Sequence, residues 1–211
     1  MRAYLIAASL LFLTGCTEPD PSAMPKGTGP DQSFWWHESI SNAAPTETMV
    51  PIQASTKVGA FSLLPGDKVT PTATFQLQAK VLGKACYNDN STKYYACDLA
   101  LGWGDMANPE FSKHVKISQS TRFWFYQYSY KDLNIASSVI GSQGSNMHII
   151  CASEEISKEL SKIQKGDNIR LAGYLVNIEN GNQRWRSSTT RTDSGNGACE
   201  IIYVFLLDRL E

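Results

Sequence analysis

The segment Thr74–Leu82 constrains the fold most, because polar and apolar side chains alternate along it from Thr74 to Val81. The apolar positions are Phe75, Leu77, Ala79 and Val81. The polar positions between them are Gln76, Gln78 and Lys80. Successive side chains of a β-strand point to opposite faces of the sheet, so this period of two predicts a half-buried strand.

Further segments have the composition of strands. Arg122–Tyr128 is rich in aromatic residues, which fit a pleated surface, and Asn168–Ile178 and Cys199–Leu207 are largely apolar. Asn180-Gly181 is a strong hairpin signal, and Arg184–Ser188 is predicted to return from it. The folded part is therefore predicted to be mostly β.

One convincing helix is predicted at about 153–163. Ser153 can cap its first turn, and Glu154 and Glu155 complement the positive end of the helix dipole. Apolar residues recur at helical spacing, and a glycine is placed to end the helix. These residues are Ile156, Leu160, Ile163 and Gly166.

This order of elements predicts a mostly β (α+β) fold. A strand-rich first part, one helix and then further strands is the order of a small closed or partly open barrel. The OB-fold places its helix between its third and fourth strands, so the predicted architecture is OB-like. A β-sandwich with one helix is the alternative.

The N-terminus has the pattern of a secretory signal. Arg2 precedes the apolar run Leu5–Leu13. This run is too short to span a membrane, because a helix needs ~20 apolar residues to cross the hydrocarbon core. The run ends in Leu13-Thr14-Gly15-Cys16, which resembles the lipobox of bacterial lipoproteins. That resemblance implies that residues 1–15 are removed and that Cys16 is acylated. The alternative is an ordinary signal peptide with an incidental cysteine.

Three parts of the chain are predicted: a signal peptide at 1–15, a lipidated flexible tether at 16–57 and a single β-rich domain at 58–211. The tether is rich in Pro, Ser, Thr and Gly and shows no apolar periodicity. Thr17 follows Cys16, and the lipoprotein resemblance then implies an outer-membrane protein facing the periplasm. The membrane is predicted to be contacted through lipid on Cys16.

Charge argues against a nucleic-acid partner. Removal of Arg2 with the signal leaves 18 basic side chains against 20 acidic ones, and no long basic run is present. No cofactor or metal is predicted either, because the sequence has no CxxC and no histidine at metal-ligand spacing from a cysteine.

The four other cysteines form an even set in a chain predicted to be exported, which suggests disulfides. Cys86 and Cys97 bracket a short polar segment, so we predict that they form a hairpin disulfide. Cys151 and Cys199 are the remaining predicted pair.

From about Phe75 to the C-terminus the chain carries a set of short motifs. They are Gly102-Trp103-Gly104, Ile117-Ser118-Gln119, Asn146-Met147-His148, Trp185-Arg186-Ser187-Ser188 and Gly197-Ala198-Cys199-Glu200. The set resembles a family of uncharacterised bacterial envelope proteins. The resemblance implies an envelope location and fixes no reaction.

Chemistry singles out a few residues of this domain. His148 lies beside a predicted Gly/Ser loop at 141–145 and is a candidate for a general base, the alternative being a structural histidine in a polar cluster. Arginine forks bind carboxylates or phosphates and tryptophan offers a stacking surface, which would suit an acidic peptide or a glycan. The binding candidates are Trp103, Arg184, Trp185, Arg186 and Arg191, each with an alternative structural role.

Three functions remain open at this point. We expect a membrane-anchored envelope lipoprotein that acts as a non-catalytic binding or assembly module with an envelope protein partner. The second hypothesis is an envelope hydrolase with His148 as general base. The third is an inhibitor or exclusion lipoprotein that inserts a protruding loop, such as the disulfide-tied segment 87–96, into another protein's site.

Overall fold

The computed structural model describes residues 50–129, 137–190 and 197–210. Strands dominate this part of the chain, and the predicted mostly β, α+β fold is confirmed. The strands are β1 Ile52–Ser55, β2 Asp67–Cys86, β3 Cys97–Gly102, β4 Val115–Ser120, β5 Phe123–Tyr128, β6 Gly144–Cys151, β7 Asn168–Asn180, β8 Gln183–Trp185 and β9 Glu200–Leu210. The helices are α1 Pro109–Ser112, α2 Ser137–Ser142 and α3 Glu154–Lys162, with a 3-10 turn at Gly104–Ala107.

Five of these strands form a closed ring of pairings. The main sheet has the order β1-β2-β3-β6-β9-β7-β8, and β2 also pairs with β7. The ring is thus β2-β3-β6-β9-β7, in which β6 and β9 run parallel and the other neighbours run antiparallel. It closes because β2 is long enough to pair with β7 along 67–80 and with β3 along 80–86.

The inside of the ring is the main hydrophobic core. Alternate side chains of every ring strand point inward, as the period-two pattern of Thr74–Leu82 predicts. The predicted inward residues of β2 and the matching residues of the other ring strands are at most 4 % exposed. Examples are Phe75, Leu77, Leu99, Leu101, Met147, Ile149, Leu171 and Ile202.

Helix α3 closes one end of the ring. It lies between β6 and β7, which are the third and fourth ring strands in chain order, so its position is the one predicted for an OB-like fold. Ser153 accepts a hydrogen bond from the backbone N–H of Ile156 and caps the helix, as the sequence predicts. At the other terminus, Lys84 of β2 donates to the carbonyl oxygens of Leu160 and Ser161 at 2.9 and 3.0 Å.

A β4–β5 hairpin covers the outside of the ring beside β2 and β3. Its alternate residues Trp124, Tyr126 and Tyr128 pack on a second cluster of buried apolar residues. That cluster comprises Leu82, Ala100, Met106, Phe111, Val115 and Ile140. The opposite face of the hairpin is more open, and Phe125 there is 51 % exposed.

The segment between β2 and β3, residues 87–96, is here called the disulfide loop. Cys86 and Cys97 form the predicted disulfide at its base. Tyr94 and Tyr95 are 0 and 3 % exposed, because they pack with Ile201 and Tyr203 on the outside of the ring. The loop therefore lies against the ring and does not protrude.

The predicted Cys151–Cys199 disulfide is wrong. Cys151 points into the ring near α3, and its thiol, whose pKa burial raises to about 12, is not disulfide-bonded. In the parallel β6–β9 pair Met147 lies opposite Glu200, so Cys199 is level with residue 146. Five residues of strand, or about 16 Å, then separate the two cysteines.

Two further expectations need correction. β1, at Ile52–Ser55, pairs with β2 inside the segment predicted as tether, so the chain joins the sheet before residue 58. Segment 141–145, predicted as a loop, instead contains the end of α2 and the start of β6. The predicted signal peptide, Cys16 and Arg191 lie outside the described residues. Within the described ranges, no helix is long and apolar enough to cross a membrane.

The disulfide is expected to stabilise the fold by restricting the unfolded chain. Replacing both Cys86 and Cys97 by serine should lower the free energy of unfolding by about 3 kcal/mol, measured by urea denaturation. A reductant should destabilise the wild type to the same extent and leave the double variant unchanged. A double variant as stable as the wild type would show that packing of Tyr94 and Tyr95 is sufficient to hold the loop.

Candidate functional site

A buried carboxylate organises the outer face of the ring. Asp98 of β3 is 0 % exposed, and its side chain points away from the apolar interior. Arg122 Nη1 donates to its Oδ1 at 2.9 Å, and Asn146 Nδ2 donates to its Oδ2 at 3.3 Å. Asn146 in turn accepts from Gln119 Nε2 at 2.7 Å. These contacts supply the partners that a buried charge requires.

Arg122 reaches Asp98 because of an unusual turn. The two residues joining β4 to β5, Thr121 and Arg122, have φ values of 49° and 69°. Positive φ at both central positions is the two-residue hairpin geometry that normally takes Asn or Gly. The contacts of the Arg122 side chain offset the strain of placing Thr and Arg there.

Arg122 also ties the disulfide loop to the hairpin. Its Nε and Nη2 donate to the two carboxylate oxygens of Asp89 at 2.8 and 3.1 Å, and its Nη1 donates to the Tyr95 carbonyl at 3.0 Å. Its guanidinium carbon lies 4.3 Å from the ring centre of Tyr87. Hydrogen bonding from Arg122 holds the pKa of Asp89 far below its ordinary value. Burial opposes the charge on Arg122, but the two aspartates outweigh it and raise the pKa of the guanidinium.

His148 joins this cluster from β6. Its imidazole stacks on Tyr95, with ring centres 4.8 Å apart and planes 18° from parallel. Its Nδ1 lies 2.8 Å from Oδ1 of Asp98, but the two atoms do not form a hydrogen bond. Asp98 Oδ1 is the same atom that accepts from Arg122.

A groove of about 430 Å³ runs over His148, and it brings together several of the predicted site residues. We call it the basic groove. Its lining comprises Ser91, Tyr95, Arg122, Phe123, His148, Arg184, Trp185, Arg186, Gly197, Cys199 and Ile201. His148 and the Arg184–Arg186 segment, which are far apart in sequence, thus face one space.

The topology explains this convergence. One wall of the groove is the disulfide loop, which joins the first two ring strands, β2 and β3. The other wall belongs to the connection between the last two ring strands in chain order, β7 and β9. His148 lies between them on the third ring strand. In OB-folds the corresponding loops and strand face bind oligosaccharides and oligonucleotides.

Trp103, the remaining described candidate, lines a different space. A cavity of about 220 Å³ lies beside the ring end opposite α3, where β3 ends and where β6 and β9 begin. We call it the ring-end cavity. Its walls include Trp103, Phe123, Trp124, Phe125, Tyr126, Gly144, Ser145, Asn146, Cys199 and Glu200. Phe123 and Cys199 also line the basic groove, so the two spaces adjoin.

Two buried residues with polar groups line the ring-end cavity. Glu200 is 1 % exposed and accepts a hydrogen bond from the Ser145 hydroxyl. The indole Nε1 of Trp103, itself 1 % exposed, has no hydrogen-bond partner among the described residues. Gly144 makes room here, because a Cβ on it would lie 2.7 Å from the indole of Trp124.

Comparisons with known proteins add no assignment: no protein-family model matches the chain, and no curated protein is significantly similar to it. Within the described ranges, no group of three or more His, Cys, Asp or Glu side chains is placed to hold a metal ion.

Sequence reasoning missed the residues at the centre of the site. Asp98 carried a usable signal, because it is the one charged residue of Cys97–Gly102, a strand otherwise made of residues suited to burial. Arg122 carried none, since Thr-Arg is not a hairpin-turn signal and the partners of the arginine lie 24 and 33 residues away.

Loss of the Arg122 charge should destabilise the domain strongly. Arg122→Met keeps the aliphatic stem but leaves Asp98 buried without its cation, and should lower the free energy of unfolding by about 3–5 kcal/mol. Lys116→Met, at an exposed position of the same hairpin, should change it by less than about 0.5 kcal/mol. Equal effects of the two substitutions, measured by urea denaturation, would contradict a central role for the buried pair.

Proposed function

We propose that this protein is a non-catalytic binding module of the cell envelope, anchored through lipid on Cys16, and that it binds an anionic partner in the basic groove. The observation that carries the proposal is the position of Arg184, Trp185 and Arg186. All three line the same groove as His148 and the disulfide loop.

The arginines of the groove are suited to bind carboxylates or phosphates. The Arg184 side chain is 66 % exposed and has only a long contact of 3.9 Å with Glu179. Arg186 is also exposed, and no ion pair joins it to the described residues. A guanidinium can donate two parallel hydrogen bonds to one acidic group, and the ring of Trp185 between them adds a stacking surface. Lys93 adds positive charge 5.8 Å above that ring.

The contact between Asp98 and His148 is the observation that favours the alternative, an envelope hydrolase. A general base needs a partner that orients it and a nucleophile within hydrogen-bond reach. Here Asp98 is already bonded to Arg122, and no described hydroxyl or thiol is hydrogen bonded to the imidazole. Burial raises the pKa of Tyr95 to about 12, so the phenol stacked on His148 stays neutral. The cluster therefore favours binding over hydrolysis.

The proposal of an inhibitor with a protruding loop receives less support. The disulfide loop is held on its inner side by Tyr94 and Tyr95 and on its outer side by Arg122. Its exposed residues are Asn88, Asp89, Asn90 and Lys93.

The disulfide supports the envelope part of the proposal. Disulfides persist in oxidising compartments such as the periplasm and are rare in the reducing cytosol. The lipobox-like end at Cys16 and the likeness to envelope proteins, both read from the sequence, agree with export.

Groove binding is tested with two carboxylate-rich probes, a hexaglutamate peptide and an oligogalacturonate, by calorimetric titration of the soluble domain. The wild type should bind at least one probe, and binding should weaken as salt rises. Arg184→Gln combined with Arg186→Gln should weaken binding about tenfold or more, because charged hydrogen bonds are lost.

Arg209→Gln combined with Lys165→Gln is the matched control, since it removes two positive charges at exposed positions. Arg209 lies eight residues beyond Ile201 on β9, or about 26 Å from the groove level. Equal losses in the two double variants would show a general charge effect and contradict the proposed groove. No binding of either probe by the wild type would contradict it as well.

Anchoring is tested separately. Cys16→Ser in the full chain should move the exported protein from the washed membrane pellet to the soluble periplasmic fraction, because the described domain has no membrane-spanning helix to replace the lipid. Cys199→Ser is the control and should leave the wild-type distribution unchanged. Retention of the Cys16 variant in the pellet would contradict lipid anchoring.

A further inference from the structure

We propose that the ring-end cavity is a subsite for a single sugar ring that carries an N-acyl group. The inference rests on the proposed function, because it names the class of ligand, a glycan, whose charged groups would lie in the adjoining basic groove. It stands on the volume, walls and polar groups of the cavity.

The volume sets the size of the occupant. At ~30 Å³ for each water molecule, 220 Å³ corresponds to about seven waters. An apolar cavity of about 150 Å³ is known to hold benzene. The ring-end cavity is therefore large enough for one substituted six-membered ring and too small for an oligomer.

The walls favour a flat molecule with apolar faces. Five of the lining residues are aromatic, namely Trp103, Phe123, Trp124, Phe125 and Tyr126. Phe125 leaves one side open to solvent, because half of its surface is exposed. The C–H faces of a sugar ring can stack on such walls while its hydroxyl groups point toward polar neighbours.

The polar groups distinguish a sugar from a purely apolar ring. The N–H of Trp103 is buried and unpaired, and leaving such a donor without an acceptor destabilises the fold. A carbonyl oxygen satisfies it well, because it accepts a hydrogen bond without bringing a further donor between the aromatic walls. The carboxyl group of Glu200 and the hydroxyl of Ser145 lie at the same cavity and can accept hydrogen bonds from ring hydroxyl groups. An N-acyl sugar offers both kinds of group.

The position of the cavity supports a longer ligand. Phe123 and Cys199 line both the cavity and the basic groove. A glycan chain could therefore place one ring in the cavity while acidic groups of neighbouring units contact Arg184 and Arg186.

The test follows the indole N–H resonance of Trp103 by NMR while N-acetylglucosamine is added to the purified protein. The Trp103→Phe variant assigns this resonance by its disappearance. The Trp103 resonance should shift downfield and saturate, and glucose, which lacks the acyl group, should bind at least fivefold more weakly. N-acetylphenylalaninamide is the peptide-like probe. If it bound as tightly as the sugar, a peptide subsite would replace the proposed sugar subsite.

Two substitutions sharpen the test. Trp103→Phe keeps an aromatic ring but removes the N–H, and it should weaken N-acetylglucosamine binding five- to tenfold. Binding to this variant is measured from the other resonances that shift when the wild type binds the sugar. Phe125→Ala changes a half-exposed wall residue outside the core and should weaken sugar binding by a similar factor. If Trp103→Phe fails to fold, this second variant still tests the proposal. Val50→Ala, at another exposed apolar residue, is the control and should have no effect.

The outcomes separate this inference from the proposed function. Binding of a carboxylate-rich probe in the groove without any shift of the Trp103 resonance would overturn the sugar subsite and leave the proposed function standing. A saturating shift of Trp103 with neutral sugar, but no binding of the acidic probes, would support the subsite and overturn the anionic groove.

Discussion

The ion pair between Arg122 and Asp98 is the interaction on which the arrangement outside the ring depends. A carboxylate with no exposed surface costs several kcal/mol to desolvate, and only a well-placed cation with further hydrogen bonds compensates for it. Arg122 belongs to the hairpin and also bonds Asp89 of the disulfide loop. One guanidinium thus fixes three elements that are separate in sequence. The groove exists because these elements are held at fixed positions around His148.

The sequence predicted the ring interior well and the outside poorly, for a physical reason. A period of two identifies the inward residues of β2, and a capping residue with helical spacing identifies α3. Both signals are local in the sequence. β6 was missed because Gly144, Ser145 and Asn146 have low strand propensity, and pairing with β3 and β9 overrides that preference. The Cys86–Cys97 disulfide was correctly predicted from a short, local spacing. The Cys151–Cys199 pairing failed because it was inferred by elimination, with nothing local to support it.

The candidate site shows the same difference between what local sequence predicts and what depends on long-range strand pairing. Arg184, Trp185, Arg186 and His148 could be chosen from residue chemistry, but their convergence depends on which strands are neighbours in the ring. That order follows from the pairing of β6 with β9 and from the length of β2, neither of which is encoded within a short window. The pair of Asp98 and Arg122 was harder still to predict, because a buried ion pair can be recognised only when the three-dimensional positions of both residues are known.

The two ends of the ring explain why binding surfaces are expected where they are. α3 covers one end, and its apolar side chains Ile156 and Leu160 join the core there. At the other end Ser145 and Glu200 lie at the starts of β6 and β9, and the apolar core gives way to a carboxyl group and an indole N–H near the aromatic hairpin. A buried donor without a partner is uncommon in folded proteins, because the same position filled by an apolar side chain would avoid the cost. The unpaired indole N–H of Trp103 therefore supports the proposal that a ligand in the ring-end cavity supplies the missing acceptor.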